Sequence, residues 1–416
     1  MPYQNRSRRV AITGIGPVMP IGMGVEGLWD GLRRVRSVVG PITRFDPSPF
    51  RSHVAAEVRD FHPADFLEAR KVERFDRFAQ FSIAGARLAL ADAGLRLEAE
   101  DRDRIGVMMG TALGGVGKAE REHAKFVTGH LRDLDPSLAL TVYGGAASCG
   151  IAIEFGLTGP NSTNSMSCAS GTMAVGDAYR AIARDEADVM VAGGSEAPLN
   201  PLSFGAFAII RAMSTRNDDP ATASRPFDAG RDGFVMAEGA AVLILEEWER
   251  ARARGAKIYA EVCGYGVSND AFHMTAPRPD GSQAARAMRL ALRDAHIEPH
   301  EVTYINAHGS STALNDPTET SAIRQVFGDH AARLMISGTK GYYGHALGAS
   351  GAFEAAICAL ASERGWLPPT VNLTTPDPAC DLPYLRGDGR AASPEYIMSN
   401  SFGFGGINAV LVFRRA

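Results

Sequence analysis

The chain has 416 residues, 45% hydrophobic and 22% charged, the balance of a globular protein large enough for two domains or one large duplicated unit. Its formal net charge of −4 and isoelectric point near 6.2 give no global attraction to nucleic acid or to an anionic membrane. The five cysteines (Cys149, Cys168, Cys263, Cys358 and Cys380) form no C-x-x-C pair, which argues against structural zinc and for reduced thiols in the cytoplasm.

In chain order, "MPYQNRSRRVAITGIG" is charged and lacks a long apolar core, so it does not read as a signal peptide. No run of about 20 apolar residues follows, so no membrane span is expected. "RRVAITGIGPV" reads as a buried strand entering a Gly/Pro turn. "PADFLEARKVERFDRFAQFSIAGARLALADAGL" reads as one long, largely helical stretch ending at Gly94. "RIGVMMGTALGG" and "ADVMVAGGSEAP" are strands followed by glycine turns, with a helix after Cys168 between them. The second half continues with "AKIYAEVCGYGVS", the helix "GSQAARAMRLALRDAHI", the strand "VTYINAHG" and the helix "DPTETSAIRQVFG". It closes on "YIMSNSFGFGGINAVLVFRRA", a strand, a glycine loop and a strand. Alternating strands and helices give an α/β class, and the apolar, non-alternating strands imply a sheet covered on both faces. The segment "ARARGAKIYA" marks a midpoint; no short tandem repeat is visible.

The chemistry-bearing residues stand in unusual company. Cys168, in "NSMSCASGTM", falls at the start of a helix, where free N–H groups and the dipole favour a thiolate. Ala169, Ser170 and Gly171 keep the first turn narrow enough for a carbonyl to reach the backbone. An ordinary buried core thiol is the plainer alternative. His308 follows an apolar strand, and His345 lies between a glycine loop and a small-residue helix; either alone fits a satisfied structural histidine. "NDPTE" predicts a helix start with Asp316 as N-cap, Pro317 first and Glu319 third. Lys340, flanked by small and apolar residues, would need an acidic partner if buried. "GFGG", 403–406, reads as backbone that turns sharply and donates N–H groups, with Phe404 exposed at the turn. No phosphate loop or dinucleotide fingerprint is present. Arg70, Arg74 and Arg77, at i, i+4 and i+7 with Lys71 beside them, would share one helix face. That stripe suits an acidic partner or is simply a solvated face.

Together "MSCASG", "NAHGSST", "GTKGYYGHALGASGA" and "NSFGFGGINA" resemble, in that order, the β-ketoacyl–acyl-carrier-protein synthases of the elongating, synthase II type, which include type II polyketide ketosynthase subunits. The resemblance runs from "VAITGIG" to "AVLVF". It implies a thiolase-like α/β fold of two pseudo-duplicated halves in five layers, αβαβα. The unit would span residues 7–414, with halves of about 7–258 and 259–414. It implies an acyltransferase in which Cys168 is the nucleophile, His308 and His345 the active-site histidines, and Lys340 paired with Glu354. The amides of Cys168 and Phe404 would form the oxyanion hole, with Phe404 also a gate. Ser310 and Thr312 would contact the phosphopantetheine arm, Leu113 would border the acyl pocket, and Arg70, Lys71, Arg74 and Arg211 would dock an acyl carrier protein. No metal or redox cofactor is implied. The expected assembly is a homodimer, or a heterodimer with a chain-length-factor-like subunit. Alternatives on the same scaffold are a non-elongating acyltransferase and a subunit active only with its chain-length partner. A silent partner would lack the cysteine, and a thiol hydrolase would not need a second histidine with a lysine. Tyr342 and Tyr343 near His345, Ile407 where relatives often carry threonine, and Met166 and Ser167 beside Cys168 are expected to reshape the substrate tunnel.

Overall fold

The structure, a computed structural model, describes residues 8–416, so the unit's expected start at residue 7 lies outside the described residues. Ten principal strands carry the architecture. They are β1 (Val10–Met19), β2 (Ile105–Gly110), β3 (Asn161–Asn164), β4 (Val189–Glu196) and β5 (Gly239–Glu247), then β6 (Ala260–Asn269), β7 (Val302–Asn306), β8 (Met335–Ser337), β9 (Tyr396–Gly403) and β10 (Ile407–Arg415). In space the first five run β3-β2-β4-β5-β1 and the second five β8-β7-β9-β10-β6. Both halves therefore repeat one order, third-second-fourth-fifth-first. Both also place parallel pairs on the outer three strands and antiparallel pairs on the rest. The halves meet where β1 pairs antiparallel with β6, at Val10↔Val262 to Ile12↔Ala260.

Helices α1 (Arg77–Asp92) and α2 (Ala146–Phe155) cover the first sheet; α5 (Ser282–Asp294) and α6 (Asn315–Phe327) cover the second. Helices α3 (Ser170–Ala183) and α7 (Ser350–Arg364) pack on each other between them, completing the five layers. A further helix, α4 (Pro201–Ile209), follows β4. Every residue of α7 from Ser350 to Ser362 is buried, which explains its lack of a polar face.

Small residues set the layer spacing. A Cβ on Gly16 of β1 would lie 1.9 Å from the Gly85 carbonyl oxygen of α1; one on Gly266 of β6 would lie 2.2 Å from the Ala287 oxygen of α5. The duplication is thus written in two G-x-G pairs, Gly14/Gly16 and Gly264/Gly266, each pressed against its outer helix.

The long helix expected before Gly94 is broken. A short helix, Ala69–Arg74, stops at Phe75, whose backbone is extended, and the Asp76 side chain caps α1 by accepting from the Phe78 N–H. Arg77 opens the new helix and turns inward, donating to Glu238 at 2.8 Å and to the Val58 carbonyl at 2.9 Å. It therefore does not share a face with Arg70 and Arg74. No helix among the described residues is long and apolar enough to cross a membrane.

Candidate active site

Cys168 sits in a 3-10 turn, Ser167–Ala169, directly before α3. Ser167 adopts φ +52°, a left-handed conformation unusual for a residue with a side chain, and this turns the thiol to the head of the helix. The thiol is buried, and burial pushes its pKa above the usual value. The Ser167 hydroxyl, the Phe404 N–H and the charge of Lys340 pull the other way without overcoming it. The helix start alone had suggested a stabilised thiolate; desolvation reverses that expectation.

The two histidines converge on the same space. Their ring centroids lie 5.3 Å apart, nearly perpendicular at 80°. Lys340, fully buried, donates to the His308 carbonyl at 2.6 Å, lies 3.4 Å from His308 Nδ1 and forms an ion pair with Glu354. His345 Nδ1 lies 2.8 Å from Ser350 Oγ at the start of α7. Lys340 can only donate, which assigns the His308 proton to Nε2; with the Ser350 hydroxyl taken as donor to His345 Nδ1, His345 has the same tautomer, and neither Nε2 has a hydrogen-bond partner among the described residues. Burial, reinforced by the charge of Lys340, holds both imidazoles well below the usual pKa, so both are neutral. Burial also pushes Glu354 up, against the pull of Lys340.

The helix after His308 starts differently from expectation. Leu314 occupies the N-cap, and the Thr312 hydroxyl accepts from the Asn315 N–H. Asp316 is inside the first turn, buried, and accepts from the Phe227 N–H at 2.8 Å. Glu319 does not complete a capping box; it turns inward to accept from the N–H groups of His308 at 2.8 Å and Gly309 at 2.9 Å. These bonds fix the loop carrying His308. The reason is local: the hydroxyl at 312 satisfies the helix end and frees both carboxylates for the interior.

Cys168, His308, His345, Phe404, Ser310, Thr312 and Arg211 all line one cavity of about 250 Å³. Ser310 and Thr312 hydroxyls are 2.9 Å apart. The Cys168 N–H has no acceptor among the described residues, and a Cβ on Gly403 would come within 3.1 Å of it. Gly405 and Gly406, at φ +82° and +73°, make the turn between β9 and β10 that presents the half-buried Phe404. Leu113 is not in the cavity wall; it packs in the apolar cluster around Cys168, with Phe204 and Leu347. Arg70 and Arg74 are exposed and outside any ion pair among the described residues, whereas Lys71 is held by Glu154 at 2.6 Å. Tyr342 and Tyr343 are fully buried, and neither they nor Met166 nor Ile407 line the cavity, so these departures do not shape its wall. Two aromatic residues went unforeseen. Phe207 on α4 stacks on Phe404 with centroids 6.3 Å apart, and Phe234 sets its edge to His345 at 5.4 Å. Both sit in ordinary apolar runs, which carry no signal of their own.

The sequence matches the family profiles described as "Beta-ketoacyl synthase, N-terminal domain" over residues 7–251 and "Beta-ketoacyl synthase, C-terminal domain" over residues 259–374. The chain belongs to the β-ketoacyl synthase family. It is 45% identical over 408 residues to a 3-oxoacyl-[acyl-carrier-protein] synthase 2 of Synechocystis sp., covering 98% of each chain. It is 46% identical to the Coxiella burnetii protein of the same name, covering 98% of this chain and 99% of the other. Two solved structures are 37% identical with TM-scores of 0.92, each covering 99% of this chain and 100% of the other. One is a type II polyketide acyl-carrier protein in complex with its ketosynthase bound to a hexaketide; the other is the ishigamide ketosynthase/chain length factor. This synthase is therefore a condensing acyltransferase of the synthase II type, of the kind that serves fatty acid or polyketide synthesis.

Proposed function

We propose that this synthase performs the decarboxylating condensation of a Cys168-bound acyl chain with a malonyl group carried on an acyl carrier protein. The observation that carries this reading is the pair of neutral imidazoles, Nδ1 engaged and Nε2 free, in one cavity with a thiol and two backbone donors. In the first step the Cys168 sulfur attacks the acyl thioester, and the carrier thiol leaves with the proton. In the second, malonyl-carrier loses CO2, and the electrons of the broken C–C bond form an enolate. The Nε2–H groups of His308 and His345 donate to that oxygen; as neutral donors they stabilise it without taking part in proton exchange. In the third, the enolate carbon attacks the acyl–Cys168 carbonyl. The tetrahedral oxyanion lies on the Cys168 and Phe404 N–H groups and collapses to leave β-ketoacyl-carrier and expel the Cys168 thiolate, which takes a proton from water to restore the thiol. Each such donor is worth about 3–4 kcal/mol in enzymes where one has been removed.

Lys340 orients His308 and keeps it uncharged, and Glu354 compensates the lysine. Ser310 and Thr312, paired in the cavity wall, suit the amides of a phosphopantetheine arm. Phe404, backed by Phe207, is placed to gate entry. Arg70, Arg74 and Arg211, outside any ion pair among the described residues, present positive charge to an acidic carrier, with Lys71 held in its ion pair with Glu154. The synthase works in the cytoplasm as a homodimer or beside a chain-length-factor-like subunit. We take residues 7–258 and 259–414 as its two halves.

The test combines acyl-carrier with malonyl-carrier and follows the intact mass of the protein together with CO2. Acylation of Cys168, CO2 release and a longer β-keto product are expected. Acylation without elongation would favour the non-elongating transferase. Activity that appears only on adding a chain-length subunit would favour the dependent ketosynthase.

A further inference from the structure

Glu196, the last residue of β4, is fully buried and has no place in the steps above. Its Oε2 accepts from the Ala112 N–H at 2.6 Å and the Gly348 N–H at 3.0 Å; its Oε1 accepts from the Thr111 hydroxyl at 3.0 Å and the Leu113 N–H at 3.1 Å. Its stabilising partners are these backbone groups and one hydroxyl; no lysine or arginine pairs with it among the described residues. Burial pushes its carboxyl up to about 7. A buried group this costly to ionise is retained where its acceptors are all in use.

The two segments it joins are distant in sequence and both border Cys168. Ala112 and Leu113 follow β2 and pack in the apolar cluster around the thiol. Gly348 lies in the 3-10 turn Leu347–Ala349, just after His345, and Leu347 lines the cavity. That turn is the duplicate of the nucleophile turn. Leu347 at φ +43° matches Ser167 at +52°, and Ser350 and Gly351 match Ser170 and Gly171 at the helix starts. Gly348 then stands where Cys168 stands in the other half. Its N–H, the counterpart of the Cys168 N–H, is occupied by Glu196. No side chain fits there: a Cβ on Gly348 would lie 2.3 Å from the Ala112 nitrogen.

We propose that Glu196 is a positioning residue for acyl-chain selection, fixing the Leu113 backbone against the Gly348 turn and so setting the shape of the apolar space that receives the chain on Cys168. This rests on the reading that Cys168 carries the acyl group, together with the place of Leu113 in the apolar cluster that surrounds the thiol behind the cavity wall. The substitution Glu196→Gln isolates the effect. A glutamine retains the volume but has one acceptor oxygen. Placed where Oε2 lies, that oxygen still serves Ala112 and Gly348, and the amide nitrogen can donate to the Thr111 hydroxyl. The Leu113 N–H is left without an acceptor, while the Thr111 hydroxyl, which also accepts from the Gly114 N–H, changes from donor to acceptor at this site and turns its own proton away.

The experiment compares wild type and E196Q at about pH 8, where the native carboxylate is ionised. Acyl-carriers with short, medium and long saturated chains compete for Cys168, and malonyl-carrier decarboxylation is measured separately on protein alkylated at Cys168. Expected for E196Q is a change of about tenfold in the short-to-long acylation ratio, the worth of one lost hydrogen bond, with decarboxylation within about twofold of wild type. An unchanged ratio, or an equal loss at every chain length, overturns the proposal. Should E196Q not fold, E196D, too short to span both segments, is read the same way; failure of both to fold assigns Glu196 to the fold alone and also overturns it. Absence of acylation in the wild type would instead remove the functional reading beneath it.

Discussion

The reacting groups depend on which buried charges are answered and which are not. Lys340 and Glu354 answer each other with no solvent exposure at either side chain. Removing one partner of such a pair costs about 3–5 kcal/mol because the other is left unpaired. Lys340→Met should therefore lower stability by about that amount in urea unfolding, most at alkaline pH, where Glu354 must otherwise be charged. The double variant Lys340→Met/Glu354→Gln should recover most of the stability and little of the decarboxylation, because His308 still lacks its orienting donor. A second expectation concerns pH. His308 and His345 have depressed pKa values, so the unfolded chain binds more protons below its own pKa of about 6.5, and the histidines make stability fall as pH drops through that value. Glu196, Glu319 and Glu354, raised to about 7, act oppositely: the folded state binds more protons from about 4.5 to 7, and stability from them falls as pH rises through that window. For the hydrogen bonds donated to the enolate it is the neutrality of the histidines that matters. Decarboxylation by Cys168-alkylated protein should stay level as pH falls from about 8 through 6.5. A titration near 6.5 in that rate would show that an ordinary imidazole is acting.

The elements show what chain order reveals and what it hides. Strands ending in glycine turns were legible because apolar runs and Gly punctuation are local signals. Cys168, His308, Lys340 and His345 stood out as a set through the motifs that carry the family resemblance, since each alone also reads as an ordinary buried group; the fold brings the thiol and both imidazoles to one cavity, with Lys340 on His308. The break at Phe75 was not: apolar residues continue on both sides, and "FD" before Arg77 reads equally as mid-helix until Asp76 is seen capping. Glu319 looked like a cap because its spacing suits one; only the fold shows the His308 N–H waiting for it. The duplication was expected through the family resemblance alone, because its signature in the residues is two G-x-G pairs far apart rather than a short repeat. That signature predicts its own energetics. Gly16→Ala and Gly266→Ala each drive a methyl into helix backbone, and each should destabilise by about 1–3 kcal/mol or more. Gly27→Ala, in the helix Gly24–Arg33, meets its nearest atom only at 3.4 Å and should be neutral or slightly stabilising. Thermal unfolding of the three variants decides it; equal losses at Gly16 and Gly27 would contradict the close-packing account.

At the scale of the whole molecule, the continuous sheet ends, among the described residues, at β3, which pairs with β2 on one side alone. Exposed apolar side chains lie on the segments that lead into and out of that edge: Leu140 and Tyr143 just before α2, Ile153 on α2, which packs on β3, and Met166 just after the strand. A bare strand edge flanked by apolar groups is a pairing surface, and leaving it in water invites association. Its position also bears on catalysis, because β3 runs through Met166 into the turn that holds Cys168. A subunit seated there would cover the outer side of the nucleophile turn and hold Ser167 in its unfavourable φ. Charges placed on the patch should separate the subunits without unfolding either. The double variant Leu140→Asp/Ile153→Asp should sediment as a monomer with an unchanged far-ultraviolet circular dichroism spectrum. Small alkylating agents should still reach Cys168, while acylation from the carrier falls at least about tenfold, as expected when a positioned nucleophile loses its support. A variant that remains dimeric, or a monomer that condenses at the full rate, would show that the β3 edge serves neither assembly nor the active-site turn.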